Sequence, residues 1–128
     1  MTLEIDIGGA GDDTLSREGI PKQATALSVP YNALTSINEL VNPLGSETNF
    51  RVFKWTVAGN TDTQIYLFIN GQKKDHLKMS ATDRSPERNV LPALKISPGS
   101  RAEIMVTNRQ QGVLANYDST IFYYEEVA

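Results

Sequence analysis

The chain has 128 residues, a formal net charge of −3 and no cysteine, a size that suits one domain spanning residues 1–128. The absence of cysteine excludes a disulfide framework and thiolate zinc sites. No run approaches the roughly 18 apolar residues of a membrane span, and the acidic N-terminus lacks the basic and apolar regions of a signal peptide. We therefore expect no membrane association and no export by the Sec route.

Charge is distributed unevenly along the chain. Residues 1–47 carry two basic and seven acidic side chains, whereas residues 73–109 carry eight basic and four acidic ones. Such asymmetry can orient subunits or partners electrostatically, but the favoured interpretation is a solvated surface on which charges cluster by chance. Nucleic acid is not an expected partner, because an acidic chain without a basic aromatic platform is repelled by every phosphate.

The N-terminal stretch begins with alternating apolar and acidic residues over positions 2–7, which predicts a strand with one solvated face. Residues 8–15 match one copy of a glycine- and aspartate-rich nonapeptide that binds calcium in parallel β-helices. That site forms between stacked copies, and the sequence contains one, so we predict an acidic loop, no metal and no cofactor. Residues 1–20 are expected to form an extended arm. Two of its side chains are candidate subunit contacts, Asp12 and Asp13.

Two short elements follow the arm. Residues 24–29 are small and β-branched, which predicts a strand. Between Tyr31 and Pro43 the apolar residues recur at helical spacing, and residues 36–39 have the form of a capping box. We therefore predict one short helix, which would close one end of a sandwich or lie at a subunit contact.

The most informative stretch is a pair of apolar strands joined by Asn70 and Gly71. In the first strand the alternation changes phase between Val52 and Phe53, which predicts a β-bulge. The second strand, residues 64–69, is apolar on both faces, so it should be central and covered on each side. Asn-Gly supplies the positive φ values of a tight hairpin turn.

The register of this hairpin follows from its apolar residues. A plain two-residue loop would pair Ile65 with His76 and place core residues opposite polar partners. A three-residue loop over residues 70–72 pairs Ile65 with Leu77 instead, so we expect the longer loop. Three charged residues should then project at its tip: Lys73, Lys74 and Asp75.

The second half of the chain reads as strands and loops. Residues 82–92 are polar and charged, which predicts a long loop and a candidate contact arm. Strand patterns return at residues 94–96, 102–106 and 120–127. Seven or eight strands without βαβ alternation predict an all-β fold, an antiparallel β-sandwich of jelly-roll type with one short helix. The predicted core contains Trp55, Ile65, Leu67, Ile69, Ile104 and Val106.

Three features carry a resemblance: the strands over residues 50–69, the turn segment 95–100 and the long terminal strand. In these the chain resembles the small β-sandwich proteins that decorate or cement tailed-phage heads, and virion jelly rolls more broadly. The resemblance implies a structural protein made in the host cytoplasm that stabilises the capsid surface by protein–protein contacts. Its implied partner is a major capsid protein lattice. Self-association is expected as well, with a homotrimer as the expected state, because a small sandwich leaves open strand edges that the N-terminal segment of a neighbour would cover. The candidate contact residues are charged: Asp12, Asp13, Lys73, Lys74, Arg84, Arg88 and Arg109.

An enzyme is not expected. The chain has one histidine, His76, which we interpret as a surface residue, and its serines lack a Gly-x-Ser-x-Gly elbow. A small single domain also leaves little room for a catalytic cleft.

The alternative function is a carbohydrate- or receptor-binding module, either lectin-like or a phage fibre or spike head. Four aromatic residues are candidates for stacking on sugar rings: Trp55, Tyr31, Tyr117 and Tyr66. Trp55 shares a strand face with Phe53 and Val57, however, so core packing is the favoured interpretation for it.

Overall fold

A computed structural model of the protein describes residues 19–127. These residues form eight strands and no helix. The strands are β1 (Ile20–Val29), β2 (Leu34–Val41), β3 (Thr48–Gly59), β4 (Thr63–Ile69), β5 (Gln72–Met79), β6 (Glu87–Ile96), β7 (Arg101–Asn108) and β8 (Ala115–Val127). The strand predicted over residues 2–7, the acidic loop, Asp12 and Asp13 lie outside the described residues.

The eight strands form two four-stranded antiparallel sheets. The first sheet has the order β1-β8-β3-β6 and the second the order β2-β7-β4-β5. Side chains from both sheets contribute to one buried apolar cluster. The prediction of an all-β, sandwich-like fold is therefore confirmed.

The face switch predicted in β3 is confirmed, but Phe53 does not share the buried face of Trp55 and Val57 as expected. The register of β3 with both β6 and β8 shifts between Val52 and Lys54. Phe53 is the extra residue, and it packs with Phe122 and Tyr124 at centroid distances of 6.3 and 6.1 Å. The bulge thus allows Val52 and Trp55, which are three positions apart, both to be fully buried.

The buried cluster contains most of the residues expected in the core. Trp55, Ile65, Leu67, Ile104 and Val106 are all fully buried. Ile69, the last residue of β4, is only partly buried against the cluster.

The helix predicted between Tyr31 and Pro43 is not present, because most of that stretch forms β2. The register of β2 with β7 shifts between Ser36 and Asn38. This irregularity lets the neighbours Ile37 and Asn38 both be buried, followed by Leu40. A strand with an extra residue therefore imitates helical spacing, which is the physical reason for the wrong prediction.

The predicted pairing of Ile65 with Leu77 is confirmed. The three-residue loop that we expected to produce it is wrong. Ile69 pairs directly with Gln72, so the turn has two residues, and Asn70 and Gly71 have φ values of 50° and 82°. These values are those of a tight hairpin turn with both central residues at positive φ.

The extra residue of this hairpin lies in β5 itself. Leu67 pairs with Asp75 and Phe68 with Lys73, so Lys74 is the bulge residue. Asp75 is consequently a half-buried residue of the strand and does not project at the tip. A bulge after the turn corrects the register as well as a longer loop would, and the apolar pattern does not distinguish the two.

The loop predicted over residues 82–92 is partly wrong, because β6 already begins at Glu87. β6 is an edge strand, so its polar residues remain solvated and give no apolar alternation. Val52 pairs with Leu94 and Lys54 with Asn89, which leaves residues 90–93 as a wide bulge opposite Phe53.

We expect Gly71→Ala to lower the free energy of unfolding by about 1–2 kcal/mol, because a Cβ is disfavoured at positive φ. A Cβ at Gly71 would meet no atom within 4 Å, so the cost is conformational. Gly45→Ala is the matched control, since Gly45 is equally open and has no positive φ. Urea denaturation measures both, and equal losses would contradict the turn.

Candidate contact surface

The basic residues singled out in the sequence do not form one surface. Lys73 and Lys74 follow the β4–β5 turn, whereas Arg84 and Arg109 lie beside Asp62, just before β4. The seven residues of β4 separate these ends by roughly 23 Å. Arg88 belongs to neither group, because its Nε donates to Asp75 Oδ2 at 3.1 Å along the β5–β6 side.

Four loops meet at the end of the sandwich that contains Asp62. They are residues 30–33, 60–62, 80–86 and 109–114, and we call them the loop end. Arg84 Nη1 lies 3.2 Å from Asp62 Oδ1, and the Asp62 carbonyl accepts a 2.8 Å hydrogen bond from the Arg109 amide. Arg109 Nη1 donates to Asn32 Oδ1 at 2.8 Å. Two of the predicted contact residues therefore connect the four loops to one another.

Buried polar side chains next to the loop end form hydrogen bonds that stabilise it. Asn108 is fully buried, and its Nδ2 donates to the carbonyl oxygens of Val29 and Val113 at 3.2 and 2.8 Å. The Tyr117 hydroxyl lies 2.7 Å from the Thr63 hydroxyl in another buried contact. Because these buried groups are hydrogen-bonded, they hold the loops in a defined arrangement.

Exposed apolar side chains lie in and beside the loop end. Leu27 is 70% exposed and Leu114 is 59% exposed, and Tyr31 is exposed nearby. Leu27 and Asn60 line one shallow depression of about 290 Å³, and Asn60 Nδ2 donates to the Leu114 carbonyl at 3.5 Å. Large exposed apolar side chains within a polar rim are typical of protein contact surfaces.

The outer face of the second sheet carries a smaller aromatic group. Tyr66 stacks on His76 with centroids 5.3 Å apart, and Phe68 meets Tyr66 edge-on at 6.2 Å. Lys73 Nζ lies 5.5 Å from the Tyr66 ring centroid. β4 is central in its sheet as predicted, but it is not covered on both sides, because Tyr66 and Phe68 remain half-buried.

Two of the four aromatic candidates for sugar stacking lie inside the core. Trp55 is fully buried, and its Nε1 donates to Asp75 Oδ2 at 3.3 Å. Tyr117 is also buried. Tyr31 and Tyr66 are accessible, but they lie on different surfaces. Tyr31 is in the loop end, whereas Tyr66 is on the outer face of the second sheet.

Residues 19–127 contain no group of three or more His, Cys, Asp or Glu side chains placed to hold a metal ion. They also contain no helix that could span a membrane.

His76 is exposed, as expected, and its Nε2 lies 2.5 Å from Gln64 Oε1. Burial, with a further contribution from the Glu125 carboxylate, raises the pKa of the Tyr123 phenol.

The residues that the sequence analysis missed are exposed apolar ones. Charged side chains were predicted as contacts, whereas the large apolar side chains that the fold leaves in solvent include Leu27, Leu114 and Leu91. Leu91 lies between Val90 and Pro92, and no signal in this stretch of the sequence marks it as exposed.

No protein-family model matches the sequence, and no curated protein matches it. The contacts that the chain can make are therefore inferred from its own surface, on which the loop end combines connected loops with exposed apolar side chains.

Proposed function

We propose that the protein is a virion structural protein, a decoration or cement protein that stabilises a capsid through protein–protein contacts. The loop end docks on a lattice of major capsid protein, so the protein resides on the capsid surface. The observation that carries this proposal is the pair of exposed leucines, Leu27 and Leu114, beside loops already joined by hydrogen bonds. Loops ordered before binding lose little conformational entropy on docking, which favours affinity.

The strand order supports a jelly roll as the finer description of the fold. The pairs β1–β8, β2–β7, β3–β6 and β4–β5 are all antiparallel neighbours. This pattern arises when one long hairpin rolls up into two sheets. Jelly rolls recur in viral capsid proteins and in lectins, so topology alone does not choose between the two functions.

The location of the aromatic residues favours the structural function over carbohydrate binding. A sugar platform needs accessible rings close together, but Trp55 and Tyr117 are buried.

Self-association is also part of the proposal, and the protein docks as a homo-oligomer.

The test is co-sedimentation of the full chain with capsid particles of the virus that carries its gene. Leu27→Lys/Leu114→Lys should weaken binding by about tenfold or more, because burying one leucine contributes roughly 1.5–3 kcal/mol. Leu44→Lys is the control, since Leu44 is an exposed leucine beside Gly99, at the other end of the sandwich. Absence of particle binding by the unmodified chain, or an equal loss in the control, would contradict docking through the loop end.

A further inference from the structure

Among residues 19–127, three of the four edge strands carry lysine or proline side chains that oppose pairing with another chain. Lysines and prolines on an edge hinder the addition of a strand. β5 has three exposed lysines, β1 has Pro21 and Lys22, and β6 has Pro92 within its wide bulge. The three lysines of β5 are Lys73, Lys74 and Lys78.

β2 is the fourth edge strand, and it contains no lysine, arginine or proline. Its register with β7 shifts between Ser36 and Asn38, but the other three edge strands have register shifts too, so the absence of lysine and proline is what distinguishes β2. Among residues 19–127, β2 pairs only with β7, and no described strand pairs with its other edge. Leu34 and Val41, the first and last residues of β2, are 55% and 51% exposed. Ser36 and Glu39 lie between them and are also exposed.

These four side chains form a palindromic pattern along the strand. They read apolar, polar, polar and apolar, and the centre of the pattern lies between Ile37 and Asn38, which are both buried. A sequence that reads similarly in both directions is complementary to itself in an antiparallel pair. This self-complementarity favours a second copy of the chain over an unrelated partner, because only an isologous contact requires it.

We propose that β2 pairs antiparallel with β2 of a second copy about a two-fold axis, joining the two second sheets into one eight-stranded sheet. Leu34 then lies opposite Val41 of the partner subunit, and Ser36 lies opposite Glu39 of the partner subunit. This contact gives a dimer in place of the trimer expected from the sequence. The β2–β2 contact does not depend on docking to a capsid.

The register of the proposed β2–β2 pair follows from which side chains of β2 face solvent and which face the core. A slip of one residue would place Leu34 opposite an inward-facing residue and expose the partner's apolar side chains. In the proposed register no glutamate faces another glutamate, which avoids a destabilising like-charge pair. Arg101 Nε lies 3.6 Å from Glu39 Oε2 and balances the charge there.

Sedimentation equilibrium of the full chain at tens of micromolar should give twice the mass of one chain. Leu34→Lys/Val41→Lys should raise the dimer dissociation constant by about tenfold or more, because lysines would then face each other across the contact. Leu91→Lys is the control, since Leu91 is 96% exposed on β6 and should leave the dimer intact. A monomer or a trimer for the unmodified chain overturns the proposal.

Cysteine cross-linking tests the register directly, because the chain has no cysteine of its own. A mixture of Leu34→Cys and Val41→Cys proteins should oxidise to a covalent heterodimer, since directly opposed Cβ atoms lie about 5 Å apart. Either variant alone places its two cysteines roughly 20 Å apart in the dimer and should not cross-link. Equal cross-linking in the mixture and in the single variants overturns the register.

The same variants separate this proposal from capsid docking. A Leu34→Lys/Val41→Lys protein that is monomeric supports the β2–β2 contact, and if it still binds particles, docking as a homo-oligomer is contradicted while docking through the loop end is supported. Loss of particle binding in Leu27→Lys/Leu114→Lys, with the dimer retained, shows that the two surfaces are independent.

Discussion

Replacing Trp55 with alanine is expected to lower the free energy of unfolding by about 3–5 kcal/mol, the usual cost of removing a large buried aromatic side chain. Trp55 is fully buried at the centre of β3. Its indole nitrogen also donates to Asp75 Oδ2 at 3.3 Å, which links β3 of the first sheet to edge strand β5 of the second. The variant therefore loses both core packing and a contact between the sheets. Urea denaturation followed by circular dichroism measures the change.

Tyr66→Ala is the matched control for Trp55→Ala. Tyr66 is also a large aromatic residue of a central strand, but it is half-buried on an outer face. Its replacement should cost clearly less than that of Trp55, because it leaves no enclosed cavity. A loss below about 1 kcal/mol for Trp55→Ala, together with abolished binding on a glycan array, would instead favour the carbohydrate-binding alternative.

Replacing Asn42 with aspartate is expected to lower the free energy of unfolding by about 3–5 kcal/mol, as for other buried charges left unpaired. Asn42 is fully buried, and its Nδ2 donates to the carbonyl oxygens of Thr48 and Ile96 at 2.9 and 2.8 Å. Aspartate would place a carboxylate oxygen against these two acceptors. Thermal and urea unfolding at neutral pH measure the effect.

Asn42→Ala separates the lost donor from the added charge. Alanine leaves the two carbonyl oxygens without this partner but adds no charge, so we expect a smaller loss of about 2–3 kcal/mol. Asn89→Asp is the control for the charge itself, because Asn89 is exposed on β6 and its substitution should stay within about 0.5 kcal/mol. Equal effects of Asn42→Asp and Asn89→Asp would contradict the anchoring role of Asn42.

Asn42 also makes main-chain hydrogen bonds that stabilise the end of the sandwich opposite the loop end. Its backbone amide donates to the Ser100 carbonyl at 2.9 Å, and its carbonyl accepts from the Gly99 amide at 2.7 Å. The segment after β2 is thus attached to the β6–β7 turn by main-chain and side-chain bonds of one residue. The pattern of apolar residues does not reveal this role, because an asparagine before a proline is equally typical of a solvated turn.

The candidate contact surface was less accessible to sequence analysis than the fold. Arg84 and Arg109 were selected for their charge, and the structure places both beside Asp62, where they join loops together. Leu27 and Leu114 were not selected, because a leucine in a strand or loop is ordinarily assigned to the core. Their exposure depends on which strands and loops lie beside them, and this is known only from the folded chain.

The sequence by itself determined the features that depend on neighbouring residues. The face switch after Val52, the position of a hairpin turn at Asn70 and Gly71 and the pairing of Ile65 with Leu77 all follow from a side-chain period of two and from the φ preferences of asparagine and glycine. The length of that turn does not, since a three-residue loop was expected and the turn has two residues. Only the tertiary structure decided that residues 34–41 form a strand, that β6 begins at Glu87 and that Asp75 meets Trp55. The physical reason is that bulges shift the local period and edge strands remain solvated, so these choices depend on pairing and packing with distant parts of the chain.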